Sequence, residues 1–159
     1  MIKGFEPSLF DKLFDDSPVA PVRRRLTLEQ LKDSVARDLE FLLNTRAVID
    51  HEQIADFALA SRSVIGFGLS DFAGLSLASV HDRRNICVSI ERAIAQHEPR
   101  LRDVRVELEL DRKAVNALFF SIKAVLVVRP AQEPVSFDAM LQPTSLQYSV
   151  NRPHARGKA

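Results

Sequence analysis

Four histidines, one cysteine and 21 acidic residues are the side chains with which this 159-residue chain could do acid–base, nucleophilic or metal chemistry. His51, His81, His97 and His154 stand singly, and none pairs with Cys87 or with another histidine at metal-ligand spacing. No glycine-rich loop runs into a lysine to cradle phosphate, and no serine occupies a nucleophile elbow. Glycoside hydrolysis needs two carboxylates flanking a cleft, one in an apolar setting that raises its pKa. Among 21 acids some pair can always be nominated, so their number supports none. One constellation stands apart: Glu98-Pro99-Arg100, inside the stretch QHEPRL. An acid beside an arginine is a poor general acid, because the neighbouring cation favours the ionised form. Its chemistry is recognition instead, through the planar fork of arginine.

Pro99 has no amide hydrogen and restricts the residue before it to extended geometry, so a helix arriving from upstream ends at about His97. Glu98 and Arg100 are then held on a stiff turn. Two roles are open for them. One is a local ion pair, worth about 0–1 kcal/mol if exposed. The other is a preorganised charged pair offered to a partner. Neither side chain lies on an apolar stripe, so alanine at either position is expected to leave the fold intact.

The elements on both sides of this corner have opposite periods. Upstream, Ile86, Ile90 and Ile94 recur as one face of a helix over about 80–97, which also delivers Cys87 and Ala93 inward. Cys87 reads as a small buried hydrophobe. Downstream, Val104, Val106, Leu108 and Leu110 alternate with charges as a strand over about 102–111. A turn near DRKA (111–114) leads to a long strand, 117–129, that is apolar on both faces and therefore central or covered. Pro130 and Pro134 are expected to end it, VSFDAML (135–141) to form a third strand and SLQYSV (145–150) a short fourth.

An earlier helix begins at Thr27, where TLEQ is a capping box, and carries Leu28, Leu31, Val35, Leu39 and Leu42 on one stripe to a stop at Asn44. Between the helices, Gly66, Gly68 and Gly74 punctuate an ordered connection with a short helix at about 53–60. There Phe57, Ile65, Phe67, Leu69 and Phe72 are expected to plug the core. Helices first and adjacent strands afterwards give an α+β fold: two main helices, then a three- to four-stranded, mainly antiparallel sheet.

The chain divides into an arm, 1–26, one domain, 27–150, and a basic tail, 151–159, expected to be disordered. In the arm, Leu9 with Leu13 and Phe10 with Phe14 form apolar pairs on one or two helical turns, ahead of Pro18 and Pro21. Such an arm either folds back on its own domain or docks on a partner through Phe10, Leu13 and Phe14. With 22 basic residues against 21 acidic ones, net charge is +1 and offers no general attraction to nucleic acid or anionic membrane. Arg23-Arg24-Arg25 reads as a solvated run. No segment has the length of a membrane span or the pattern of a signal peptide, and one cysteine permits no internal disulfide. The expected setting is cytoplasmic.

Five stretches, SLFDKLFDD, LKDSVARDLEFLLNTR, SRSVIGFGLSDFAGLSL, IERAIAQHEPRLRDVRVEL and PVSFDAML, resemble in that order the TssE subunits of type VI secretion baseplates. These belong with the wedge proteins of contractile phage tails, a family long labelled lysozyme-like. The resemblance covers roughly residues 8–142, and its most specific parts are DLEFLLNTR and Glu98-Pro99-Arg100, which matches the family's Glu-Pro-Arg motif. The family loop commonly reads Asn-Tyr-Gly-Leu-Pro-Asp where this chain has Gly66-Phe67-Gly68-Leu69-Ser70-Asp71.

The resemblance implies a fold similar to the contractile sheath's interlocking domain and a non-enzymatic role without cofactor or metal. It implies TssF, TssG and TssK as wedge partners at the cytoplasmic face of the inner membrane. The sheath subunits TssB and TssC would join by strand addition, with 102–111 and 135–141 as candidate edges. No nucleic acid and no membrane insertion are expected. Two readings from other classes compete: a peptidoglycan hydrolase and a nucleic-acid-binding module using Arg23-Arg24-Arg25 and the tail.

Overall fold

Thr27 accepts a hydrogen bond from the Gln30 amide, and the Gln30 side chain accepts one from the Thr27 amide, so the predicted capping box forms. It starts a helix that runs to Asn44. The computed structural model describes residues 4–14, 25–49, 51–72, 79–109, 117–128, 131–142 and 144–152. In chain order these form α1 (Leu9–Leu13), α2 (Leu28–Asn44), α3 (His51–Ile54), α4 (Ala58–Ser61) and a 3₁₀ turn (Val64–Gly66). There follow α5 (Val80–His97), β1 (Leu101–Glu109), β2 (Leu118–Val128), β3 (Ala131–Gln142) and β4 (Gln147–Asn151). The turn at 111–114, Pro18, Pro21, Arg23, Arg24, Gly74, Pro130 and the tail beyond Arg152 lie outside the described residues.

The four strands make one antiparallel sheet in sequence order, β1-β2-β3-β4. This is the expected α+β arrangement. The even-numbered side chains of β2, Phe120, Ile122, Ala124, Leu126 and Val128, are buried beneath the helices. Phe119, Val125 and Val127 occupy the opposite face and are half-buried. Leu31, Val35, Leu39, Leu42 and Leu43 of α2 and Ile86, Ile90, Ala93 and Ile94 of α5 complete the same core. Each such Leu or Ile contributes about 1.5–3 kcal/mol of burial. Cys87 is only half-buried at the margin of this cluster, and burial raises its thiol pKa.

Three expectations are corrected. Pro134 does not end β2; it lies within β3, opposite Val125. β3 is therefore longer than its apolar pattern suggests. Its second half, 138–142, pairs with β4, whereas no described strand pairs with the far side of 131–137. A proline fits there because the strand has a neighbour on one side only. The candidate edge 135–141 is thus open over Val135–Phe137 and closed beyond it.

Among the residues expected to plug the core, only Leu69 is fully buried, with Phe67 and Phe72 half-buried against the cluster. Phe57 and Ile65 are 65% and 44% exposed. Leu69 reaches the core because Gly68 takes φ +120° and brings the chain against the end of α2. There the Leu69 amide donates to the Thr45 carbonyl (2.8 Å), and the Ala47 amide donates to the Leu69 carbonyl (3.0 Å). A Cβ at Gly68 would sit 2.5 Å from the Thr45 oxygen, so no other residue fits this backbone.

Candidate functional site

The corner closes α5 and opens β1. Glu98 leaves the helical region (φ −117°, ψ 84°), while its amide still donates to the Ile94 carbonyl at 2.8 Å. The Leu101 amide donates to the Glu98 carbonyl (3.1 Å), and the Arg100 carbonyl accepts from the Val127 amide of β2 (2.8 Å). The turn is therefore fastened to both helix and sheet. Pro99 is exposed at its crest.

Inside the turn the side chains are not free. Glu98 is 5% exposed. One of its oxygens accepts from the Arg100 amide (3.1 Å) and from Arg100 Nε (2.7 Å), and the other accepts from Arg100 Nη2. The same Nη2 also donates to Asp38 of α2. One guanidinium thus joins two carboxylates on separate elements. Burial opposes the charge on Arg100, but the bonds and attraction from Glu98 and Asp38 outweigh it, so the group holds its proton more firmly than usual. For Asp38 the balance goes the other way. Burial pushes its carboxyl above the ordinary value, Arg100 offsets part of that, and Glu98 adds repulsion.

The structure shows the corner pair to be anchored inward, which argues against the expectation that alanine at either position leaves the fold untouched. Both are anchored inward, and the pair sits in low dielectric rather than in water. Asp38 was missed at the sequence level, although it lies one position before Leu39 on the otherwise apolar stripe of α2. Only tertiary packing brings it to a residue 62 positions away. Gln96 and His97 were also missed. Gln96 Nε2 donates to the Ser61 carbonyl, His97 Nε2 lies 2.9 Å from the Gly66 carbonyl oxygen, and the His97 ring meets Phe67 edge-on at 5.3 Å. Between them, the residues of QHEPRL hold the 61–67 connection, α2 and β2.

Phe10, Leu13 and Phe14 do not join the corner. They lie on and just after α1, whose capping box is made by Ser8 and Asp11. The helix rests on α2 through a polar contact. Asp11 accepts from Ser34 Oγ (2.6 Å), a fully buried side chain, and from Arg37. Burial opposes the Asp11 charge, yet hydrogen bonds from Ser34 and Ser8, with Arg37 nearby, hold its carboxyl below the ordinary value. Leu13 and Phe14 face the other way, whereas Phe10 also packs on α2. Leu13 and Phe14 are 66% and 69% exposed, and Phe10 stacks on Phe14 and tilts against Phe41 of α2, 5.6 Å between centroids. A 410 Å³ groove beside them is lined by Pro7, Phe10, Phe14, Leu26 and Phe41, with Asp33, Arg37 and Asp38 along it.

Among the described residues no group of three or more His, Cys, Asp or Glu side chains could hold a metal ion. Nor is any helix there long and apolar enough to cross a membrane. The features this surface presents are a fastened arginine turn, an arm with exposed Leu13 and Phe14, and a half-strand, 131–137, with no described neighbour on one side. A family model described as baseplate wedge protein gp25 matches residues 29–131. That span runs from the first turn of α2 through the corner to the start of β3. No curated protein matches the chain.

Proposed function

Because the chain belongs to the family of baseplate wedge protein gp25, we propose that it is a structural, non-enzymatic subunit of a type VI secretion baseplate. It joins TssF, TssG and TssK in the wedge at the cytoplasmic face of the inner membrane and nucleates polymerisation of the sheath. The observation that carries this reading is the corner. Glu98-Pro99-Arg100 is the most specific short motif of the TssE resemblance, and it caps the junction of α2, α5 and the sheet with Pro99 outermost.

The proposed wedge contact uses the Pro99 crest and the part of Arg100 that remains exposed, with Glu98 and Asp38 fixing the direction of the guanidinium. The arm adds a second contact through Phe10, Leu13 and Phe14, since Asp11 faces inward while Leu13 and Phe14 stand outward and Phe10, beside Phe41, stays 39% exposed. The third contact is strand addition by TssB or TssC along 131–137, where one side of β3 has no described strand. A 600 Å³ groove borders that edge, lined by Pro134–Phe137, Asn151, Arg152 and the first turns of α2.

The deciding experiment is a pull-down from cells with intact baseplates. Arg100→Lys retains charge towards both carboxylates but loses the fork, and Pro99→Ala removes the ring at the crest and relaxes the turn that holds Glu98. Each is expected to reduce recovery of the other wedge subunits at least fivefold while the purified protein stays folded. Recovery at the parental level from both variants overturns the role of the corner.

A further inference from the structure

A backbone amide on the outer side of an edge strand invites another strand, yet on β1 and β4 several such amides are taken by helix side chains. On β4 the Tyr148 amide donates to Asn44 Oδ1 (2.8 Å), and Asn44 Nδ2 donates back to the Tyr148 carbonyl (2.8 Å). Two residues on, the Val150 amide donates to Glu40 Oε2 (2.8 Å). On β1 the Val106 amide donates to Glu91 Oε1 of α5 (2.8 Å). The α2 pair uses helix positions i and i+4 against strand positions j and j−2. The match is geometric: four helical residues rise about 6 Å, and two strand residues about 6.7 Å. α2 therefore lies antiparallel to β4 and caps its outward groups in step, and α5 caps one such group on β1.

The two edges differ in what else protects them. β1 has a register break between Arg102 and Arg105, with Asp103 at φ 53°, and it carries Arg102, Arg105, Glu107 and Glu109. A bulged, charged strand resists pairing by itself. β4 pairs in unbroken register from Gln147 to Asn151, and its non-core side chains are the uncharged Gln147, Ser149 and Asn151. It has no bulge and no charge. Its protection is the pair on α2.

We propose that Glu40 and Asn44 are an edge guard, and that without them β4 pairs with β4 of a second copy of this chain. The occupant follows from the strand. An uncharged, unbroken edge pairs with its own copy about a twofold axis centred on Ser149, and each Tyr148 then exchanges backbone hydrogen bonds with Val150 of the second copy. The guard keeps the free chain single. This inference does not depend on the baseplate reading.

The test is sedimentation of the full chain over a wide concentration range. The parent protein and Glu40→Gln, which retains a carbonyl acceptor, are expected to stay at monomer mass. Glu40→Ala combined with Asn44→Ala is expected to double in mass as concentration rises, with the Tyr148 and Val150 amides exchanging several-fold more slowly in the dimer. Adding Ser149→Lys, which places like charges at the twofold axis, should return it to monomer. α2 keeps Leu31, Val35, Leu39 and Leu43 in the core, so the double variant should fold. If circular dichroism shows otherwise, Asn44→Ala alone is read in the same way. A folded guard-less variant that stays monomeric, or a parent already dimeric through β4, overturns the proposal.

Discussion

Glu98 is the residue whose replacement should show most plainly that the corner is part of the fold. Its carboxylate is buried and engaged through both oxygens, so Glu98→Ala leaves the Arg100 guanidinium with half its compensation. Removing one partner of a buried pair strands the other charge, and the expected loss is about 3 kcal/mol. Urea denaturation should record it as a lower midpoint with an unchanged slope. Asp38→Asn should cost clearly less. Burial already disfavours the Asp38 charge, and an amide oxygen can still accept from Arg100. A loss at Asp38 equal to that at Glu98 would show that the two acids share the guanidinium evenly. The sequence marked Glu98 and Arg100 through the proline between them, but a proline reports backbone restriction and not burial. Inward or outward direction was decided by Asp38 on another helix.

For the elements, the arm makes the sharpest prediction. α1 has five residues and none is buried, so it is too short to persist alone and depends on the Asp11 contact with Ser34 and Arg37. The Asp11 carboxyl is depressed below its ordinary value of 3.8 in the folded state. Its contribution is therefore present above that pH and is lost as pH falls through the lower folded value. Amide exchange at Leu9–Leu13 should rise on acidification below about pH 4, before the core opens, and Asp11→Asn should show the faster exchange already at pH 7. Exchange in α1 that tracks the core at every pH would mean that the arm is held by something other than this carboxylate. Element boundaries were readable where local signals agreed: the capping box at Thr27, the proline after α5, the alternation of β1. They failed at Pro134. A proline is a terminator only if both sides of the strand are paired, and β3 lacks a described neighbour there.

At the scale of the whole molecule the strand-addition proposal becomes a measurement on the assembled baseplate. Hydrogen exchange at 131–137 should slow on assembly, while Tyr148 and Val150, already bonded to α2, should change little. Equal exchange at 131–137 in free and assembled states would remove that half-strand from the interface. The sequence by itself determined the order of elements, the two amphipathic helices, the central strand with its buried even face, the balanced charge and the family, matched over residues 29–131. These are encoded locally, in spacings of two and of three to four residues that any short window contains. The tertiary structure alone decided which charges face inward, which apolar residues stay outside and which backbone groups remain unpaired. Arg100 meets Asp38 across 62 positions, and the Tyr148 and Val150 amides meet Asn44 and Glu40 across 104 and 110. No local window holds both members of such a pair. Each depends on where packing of the apolar faces sets one helix against one edge of the sheet.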